Sequence, residues 1–221
     1  SSIGPPTTVA WTRMAVADVP LGEAPVAGLA FVGAVSPPGH LLQLSAAIHD
    51  CVRQARTVVK LVLIDTPGYV SGPAAQMLWW TVQRLLQPDM IIALQRSDEL
   101  EAVLAGLRGL DGSIQVRQPV KSARPKSSEK RQRFRRDRMN RYLHSAPAHD
   151  FDLACLGVQP TQRLRRTDLL NRIVGLRDAA GRDLAVGVIL DLSPGRIRIQ
   201  APLSSAADIR TLIIGDAVRP L

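Results

Sequence analysis

Residues 58–73 read VVKLVLIDTPGYVSGP, and the roles of the neighbouring segments follow from this stretch. Its nearly unbroken aliphatic start, residues 58–64, is typical of a strand buried on both faces of a parallel sheet. The run stops at Asp65, and a hydroxyl, a Pro-Gly turn and a tyrosine ring follow at once. Open α/β sheets bind their ligands at the carboxyl ends of the strands, where these residues are expected to lie. A Pro-Gly pair is equally typical of an ordinary strand-to-helix turn.

Composition sets the broad class of the protein. The chain has 221 residues, of which 46% are hydrophobic, without the apolar run of about 18 residues that a membrane span needs. We therefore expect one well-buried domain with a small second one, and no membrane contact. Cys51 and Cys155 suit neither a disulfide framework nor a metal site. They predict buried free thiols and a cytoplasmic location.

The net charge of +9 is concentrated in one segment. Residues 117–141 contain eleven Lys or Arg and two acidic residues, which leaves 17 basic and 17 acidic residues in the rest of the chain. Such a distribution favours a polyanionic partner that binds at one place.

Apolar runs alternate with helical patterns through the first two thirds of the chain. The pattern predicts helices at 41–56, 74–86 and 98–107, and strands at 28–35, 90–94 and 114–116 in addition to 58–64. This alternation indicates an α/β fold with a parallel sheet covered by helices. After residue 159, short apolar runs at 173–176, 184–190 and 197–201 are separated by turn sequences and predict a small β module.

The basic segment, residues 126–142, reads KSSEKRQRFRRDRMNRY and contains no Pro or Gly. As a helix it places Arg131, Arg135 and Arg138 on one face, at i, i+4 and i+7. Neighbouring guanidinium groups repel by about 0.2–0.5 kcal/mol per pair, so a bound anion would stabilise them. The planar donors of Arg favour phosphate, whereas the alternative is a solvated charged surface.

Several segments occur in a characteristic order: FVG at 31–33, SPPGH at 36–40, DTPGYV at 65–70, Pro88-Asp89, and the basic segment. In this order they resemble the polynucleotide 5′-hydroxyl kinases, which act in RNA processing. The resemblance implies a P-loop-NTPase-like sheet in residues 1–158, with an Arg-rich lid at 121–145, and a small β domain at 159–221. It also implies ATP-dependent phosphorylation of the 5′-hydroxyl end of RNA or DNA, with RNA the expected partner and ATP and Mg²⁺ as cofactors.

The resemblance implies where the polynucleotide binds. Thr66, Gly68 and Tyr69 correspond to the family's clasp, whose aromatic ring stacks on a base beside the reacting 5′ end. Tyr69 stands where the family usually has Trp, and either ring offers a flat face to a base. Pro6 and Thr8 correspond to a Pro-x-Thr loop beside the substrate strand.

The resemblance also implies roles in the lid. Lys126 and Arg135 correspond to the basic residues that reach the ATP phosphates and the transferring phosphoryl group, with Lys126 in place of the usual Arg. Arg131, on the same helical face, is grouped with them as a catalytic residue, and Arg138 is expected to bind substrate. Such lids suit a reaction that depends on positioning and on neutralising negative charge.

One family feature does not occur in the sequence. The phosphate-cradling loop needs a Gly-Lys pair, and the 221 residues contain none. We therefore assign no cofactor-binding or metal-binding residue, and expect the main ligands of ATP and Mg²⁺ to lie outside this chain. Because the chain opens with Ser1-Ser2-Ile3, the expectation is an amino-terminally truncated kinase that is inactive alone.

Two other functions remain open. Asp65-Thr66-Pro67-Gly68 also resembles a GTPase switch motif, although no Asn-Lys-x-Asp guanine-reading motif follows it. A non-catalytic RNA-binding or scaffold protein would use the same basic helix and Tyr69 to hold an RNA end.

Overall fold

The computed structural model describes residues 3–14, 20–110, 112–120, 127–159 and 166–219. The chain is a mixed α/β protein that divides into two compact units, one of residues 1–36 with 127–221 and one of residues 37–126. These units differ from the predicted division at residue 158, because the basic segment from 127 onward groups with the β module.

The described residues form these elements. The helices are α1 Leu41–Arg56, α2 Pro73–Leu86, α3 Glu101–Leu107, α4 Ser128–Leu143 and α5 Arg166–Leu169. The strands are β1 Thr8–Trp11, β2 Gly28–Phe31, β3 Met90–Leu94, β4 Ser113–Arg117, β5 Ala148–Asp152, β6 Gly157–Gln159, β7 Arg172–Asp178, β8 Asp183–Ser193, β9 Arg196–Gln200 and β10 Ile209–Val218.

The prediction of a buried strand at residues 58–64 is wrong for the structure. This segment forms no strand, and the side chains of Leu61 and Leu63 are 75% and 86% exposed. A strand buried on both faces needs neighbouring strands and covering layers. Among the described residues of this unit, β3 and β4 pair in parallel with each other as a two-stranded sheet. The aliphatic pattern of residues 58–64 is typical of a buried strand, but the described residues do not supply the neighbouring strands and covering layers that would bury it.

The β3–β4 sheet also lacks the predicted cover on both faces. Met90, Ile92 and Leu94 alternate along β3 and are all exposed, whereas Ala93 is buried. Since successive strand residues point to opposite faces, one face of β3 is open in the described structure.

The other unit is built on an eight-stranded sheet with the order β1-β2-β8-β7-β10-β6, and β9 pairs with both β8 and β5. The strand predicted at 28–35 is observed as β2, which joins the β module together with β1, in antiparallel pairs, and not the predicted parallel sheet. A buried carboxylate holds the junction: Asp183 Oδ2 accepts a hydrogen bond of 2.8 Å from the Phe31 amide. Arg177 Nε donates to Asp183 Oδ1 at 2.8 Å.

Apolar side chains fill the space between this sheet and α4. Met139 and Leu143 of α4 pack in a buried cluster with Phe31, Ile173 and two residues of β8, Val186 and Val188. Gly175 makes room for this cluster, since a Cβ there would lie 2.6 Å from atoms of the Phe31 ring. The helix is thus fixed to the sheet by its carboxyl-terminal half.

One cysteine differs from expectation. Cys51 is buried in α1, but Cys155 is exposed and lies in the 3₁₀ turn of residues 153–155. Both are free thiols.

Candidate nucleic-acid interface

Helix α4 carries the predicted basic stripe. Its first turn is capped by Ser127, whose side chain accepts a hydrogen bond from the Lys130 amide at 3.2 Å. Residues 127–134 are all exposed, because the helix buries apolar side chains only in its second half. Arg131 is exposed, and Arg135 and Arg138 are half-buried. The amino-terminal half therefore presents its cations to solvent.

Arg138 connects this helix to the amino-terminal loop. Its Nε donates a hydrogen bond to the carbonyl oxygen of Gly4 at 2.6 Å, and its guanidinium carbon lies 5.9 Å from the centre of the Phe134 ring. Burial and, to a smaller extent, the nearby Arg141 lower the pKa of Arg138. The ordinary pKa of Arg is so high that the group stays protonated at neutral pH.

The loop that Arg138 contacts contains the predicted Pro-x-Thr residues. Pro6 and Thr8 are both buried, and the Thr8 hydroxyl donates to the Pro5 carbonyl at 2.8 Å. Their side chains thus hold the shape of the loop. Gly4 has a φ of 72° and its Cβ position lies 2.6 Å from the Ala10 Cβ, so only glycine fits there.

The loop is also strained at Thr7. Its φ is 71°, which is rare for a β-branched residue and costs about 1–3 kcal/mol. The Thr7 carbonyl accepts hydrogen bonds from the amides of Val32 and Gly33, at 2.8 and 3.2 Å. These two hydrogen bonds hold the strained backbone of Thr7 against the residues that follow β2. The Thr7 hydroxyl is buried and has no hydrogen-bond partner within the described ranges.

The predicted clasp lies in the unit of residues 37–126. Thr66 and Gly68 are exposed, and Tyr69 is half-buried. The Tyr69 carbonyl accepts a 2.7 Å hydrogen bond from Trp79 Nε1, and its amide donates to the Pro67 carbonyl at 2.8 Å. Trp79 of α2 therefore anchors the loop at the residue that carries the aromatic ring.

The predicted site residues thus fall into two groups, each within its own compact unit. Arg131, Arg135 and Arg138 lie in one unit together with the loop of Pro6 and Thr8, and Thr66, Gly68 and Tyr69 lie in the other. Lys126 lies outside the described residues.

Two features of the interface were not foreseen from the sequence. The contact between Arg138 and Gly4 joins residues 134 positions apart, and no local pattern could indicate it. Phe134 lies within the basic segment of residues 126–142, and an aromatic residue within a basic run is itself typical of single-stranded nucleic-acid binding.

The described residues set limits on other chemistry. They contain no group of three His, Cys, Asp or Glu side chains that could hold a metal ion. None of the helices in the described part of the chain has the length and apolar character needed to cross a bilayer.

The chain is similar to a known protein family and to proteins named as kinases. Residues 1–145 match the family model described as mRNA cleavage and polyadenylation factor CLP1 P-loop. The polyribonucleotide 5′-hydroxyl-kinase of Thermococcus kodakarensis is 25% identical over 237 residues, covering 84% of this chain and 67% of the relative. The corresponding protein of Pyrococcus horikoshii is 26% identical over 123 residues, covering 56% of this chain and 33% of the relative. This chain therefore spans only a third of the length of that relative.

Solved structures show the same fold. A chain from the structure of a wild-type Clp1p–Pcf11p complex superimposes with a TM-score of 0.63 at 12% identity, covering 86% of this chain and 55% of the solved one. Such a likeness shows the α/β fold of a P-loop protein and nothing about partners. Because the family model matches more than half of its residues, the chain belongs to the family of the mRNA cleavage and polyadenylation factor CLP1 P-loop.

Proposed function

We propose that the intact protein is an ATP-dependent kinase that phosphorylates the 5′-hydroxyl end of RNA. One contact carries this proposal. It joins the basic stripe of α4 to the loop that contains Pro6 and Thr8, where Arg138 Nε donates a hydrogen bond to the Gly4 carbonyl oxygen at 2.6 Å. In support, similar proteins from several archaea are named polyribonucleotide 5′-hydroxyl-kinases.

The basic stripe suits phosphoryl transfer. The reaction would form a bond between the terminal phosphorus of ATP and the 5′-hydroxyl oxygen of the RNA, break the bond to the leaving ADP and release the hydroxyl proton. Negative charge is spread over the phosphoryl oxygens in the transition state. We assign Arg131, Arg135 and Lys126 to neutralise this charge, since preorganised cations lower the barrier most where charge develops. The guanidinium groups fit the polyphosphate of ATP. The described residues contain no group of three acidic, His or Cys side chains that could hold Mg²⁺.

The RNA end would be held by separate contacts. Tyr69 stacks on the base next to the reacting end, and Thr66 and Gly68 shape its loop. Pro6 and Thr8 shape the loop beside the strand, and Arg138 holds that loop to α4. We also assign the protein to the cytoplasm, where its free thiols Cys51 and Cys155 would stay reduced.

The test is transfer of labelled phosphate from ATP to an RNA oligomer by the intact protein. We expect transfer to a 5′-hydroxyl end and none to an oligomer that already carries a 5′-phosphate. Arg135→Met should lower kcat about 100-fold, as expected for loss of one transition-state donor. Arg133→Met is the control, because this exposed residue of the same helix pairs with Asp137 at 3.8 Å. Absence of label on 5′-hydroxyl RNA would contradict the proposal.

A second candidate is a non-catalytic RNA-binding protein, favoured by the exposed cations in the amino-terminal half of α4. It would bind single-stranded RNA through the same stripe without transferring phosphate. In both cases Arg131→Gln should reduce the slope of log affinity against log salt by about 0.7, the value for one phosphate contact on a single strand. Phosphate transfer by the intact protein separates the two functions.

A further inference from the structure

We propose that Phe134 is a stacking platform for an unpaired base of the RNA strand, an inference that rests on the proposed function. Phe134 is 46% exposed and is the only aromatic residue between Ser128 and Arg141. It does not belong to the apolar cluster that fixes α4 to the sheet, which uses Met139 and Leu143.

The ring is surrounded by cations that could hold the flanking phosphates. Lys130, Arg131 and Arg138 stand at positions i−4, i−3 and i+4 from Phe134, so all three are its neighbours on the helix surface. The remaining neighbour is Asp137 at i+3, which pairs with Arg133 at 3.8 Å and Arg136 at 3.9 Å. Its charge is thereby largely compensated, and the surroundings of the ring are positive.

Arg138 also determines where the ring is presented. Its guanidinium lies over Phe134 at 5.9 Å, and the same side chain donates to the Gly4 carbonyl at 2.6 Å. Because the hydrogen bond restricts the guanidinium, the platform is held near the loop of Pro6 and Thr8. A base stacked on Phe134 would thus lie in the strand that passes this loop.

An RNA base fits this surface better than an apolar protein partner. Residues 127–133 and 136–137 are all polar or charged and exposed, so within this part of α4 the ring is flanked by polar and charged side chains. Protein docking sites expose contiguous apolar patches, whereas single-strand binding sites combine isolated aromatic faces with cations along the backbone.

The experiment measures binding of the 221-residue chain to two oligomers of equal length and charge, one of single-stranded RNA and one of abasic sugar-phosphate. Phe134→Ala should weaken binding of the RNA about 5- to 150-fold, the range of base–aromatic stacking, and leave the abasic oligomer unaffected. The salt slope should not change, because no phosphate contact is lost. Phe134→Trp should restore RNA binding, and Phe134→Leu should not, although it keeps apolar bulk.

Leu190→Ala is the matched control, since Leu190 is a similarly exposed apolar residue on β8, and it should leave binding of both oligomers unchanged. Equal weakening of both oligomers by Phe134→Ala, or a reduced salt slope, would overturn the proposal by showing that the ring acts only through Arg138. Weaker binding of a fluorescent ATP analogue with unchanged RNA binding would also overturn it, since the base would then belong to the nucleotide.

The two proposals fail separately. Phosphate transfer by the intact protein, with no base-dependent effect of Phe134→Ala, removes the stacking platform and leaves the kinase. Base-dependent binding through Phe134 without phosphate transfer removes the kinase and leaves the platform.

Discussion

The Nε atom of Arg138 lies 2.6 Å from the carbonyl oxygen of Gly4, and this hydrogen bond joins helix α4 to the loop that precedes β1. The donor is charged and half-buried, which makes the bond stronger than one between neutral groups. It brings two segments with separate predicted roles, the lid helix and the Pro-x-Thr loop, into one surface.

Loss of this bond should destabilise the unit that contains it. We expect Arg138→Met to lower the free energy of unfolding by about 1.5–3 kcal/mol, the value for a hydrogen bond to a charged group. Urea denaturation of the 221-residue chain measures the change. Arg133→Met on the same helix should change it by less than about 0.5 kcal/mol, because that side chain is exposed. Equal effects of the two variants would show that the contact contributes no stability.

The carboxylate of Asp183 should be far more important for stability than its surface counterparts. Its side chain is 2% exposed, and it accepts hydrogen bonds from Arg177 and from the Phe31 amide. Asp183→Ala leaves buried donors without a partner and should cost about 3–5 kcal/mol, measured by chemical denaturation. Asp150→Ala removes an exposed pair with Arg198 and should leave stability close to that of the unchanged chain. Similar losses in both variants would contradict the assigned role of Asp183.

The exposure of residues 58–64 can be tested directly. In this chain Leu63→Lys should change the free energy of unfolding by less than about 0.5 kcal/mol, because the side chain is 86% exposed. Leu78→Ala, at a fully buried position of α2, should cost about 2–5 kcal/mol in the same assay. A loss of that size from Leu63→Lys would show that the segment is buried in solution.

Glu99 should titrate at unusually low pH. Hydrogen bonds from the amides of Arg96, at 2.7 Å, and Ser97, at 2.9 Å, lower the pKa of its carboxyl from 4.5 to about 2. Since the folded pKa is below the unfolded value, the carboxylate stabilises the native state above about pH 4.5, and this contribution is lost as the pH falls toward 2. An NMR titration should give a midpoint near 2. Glu99→Gln should remove this part of the pH dependence, and a midpoint near 4.5 would disprove the amide contacts.

Local patterns predicted the helices well. The predicted helix at 41–56 is α1, and the basic segment forms α4 over residues 128–143 with its three arginines on one stripe. The 3.6-residue period is local to each helix, so it can be read without knowing the neighbours. The short strands of the β module were found for a similar reason, since turn sequences mark their ends. The family model matches residues 1–145, a range that contains the segments whose order resembles the kinases.

The amino-acid pattern was therefore sufficient for the helices and for the short strands of the β module. Strand pairing and long-range contacts depended on the folded chain. An aliphatic run shows only that a segment suits burial, and whether it is buried depends on neighbours elsewhere, which residues 58–64 lack among the described residues. β1 and β2 join the β module and not a parallel sheet. The Phe31 amide of β2 donates a hydrogen bond to Asp183 of β8, which is 152 residues away in the sequence. Arg138 meets Gly4 for the same physical reason: hydrogen bonds between distant segments form only once packing has brought both groups together.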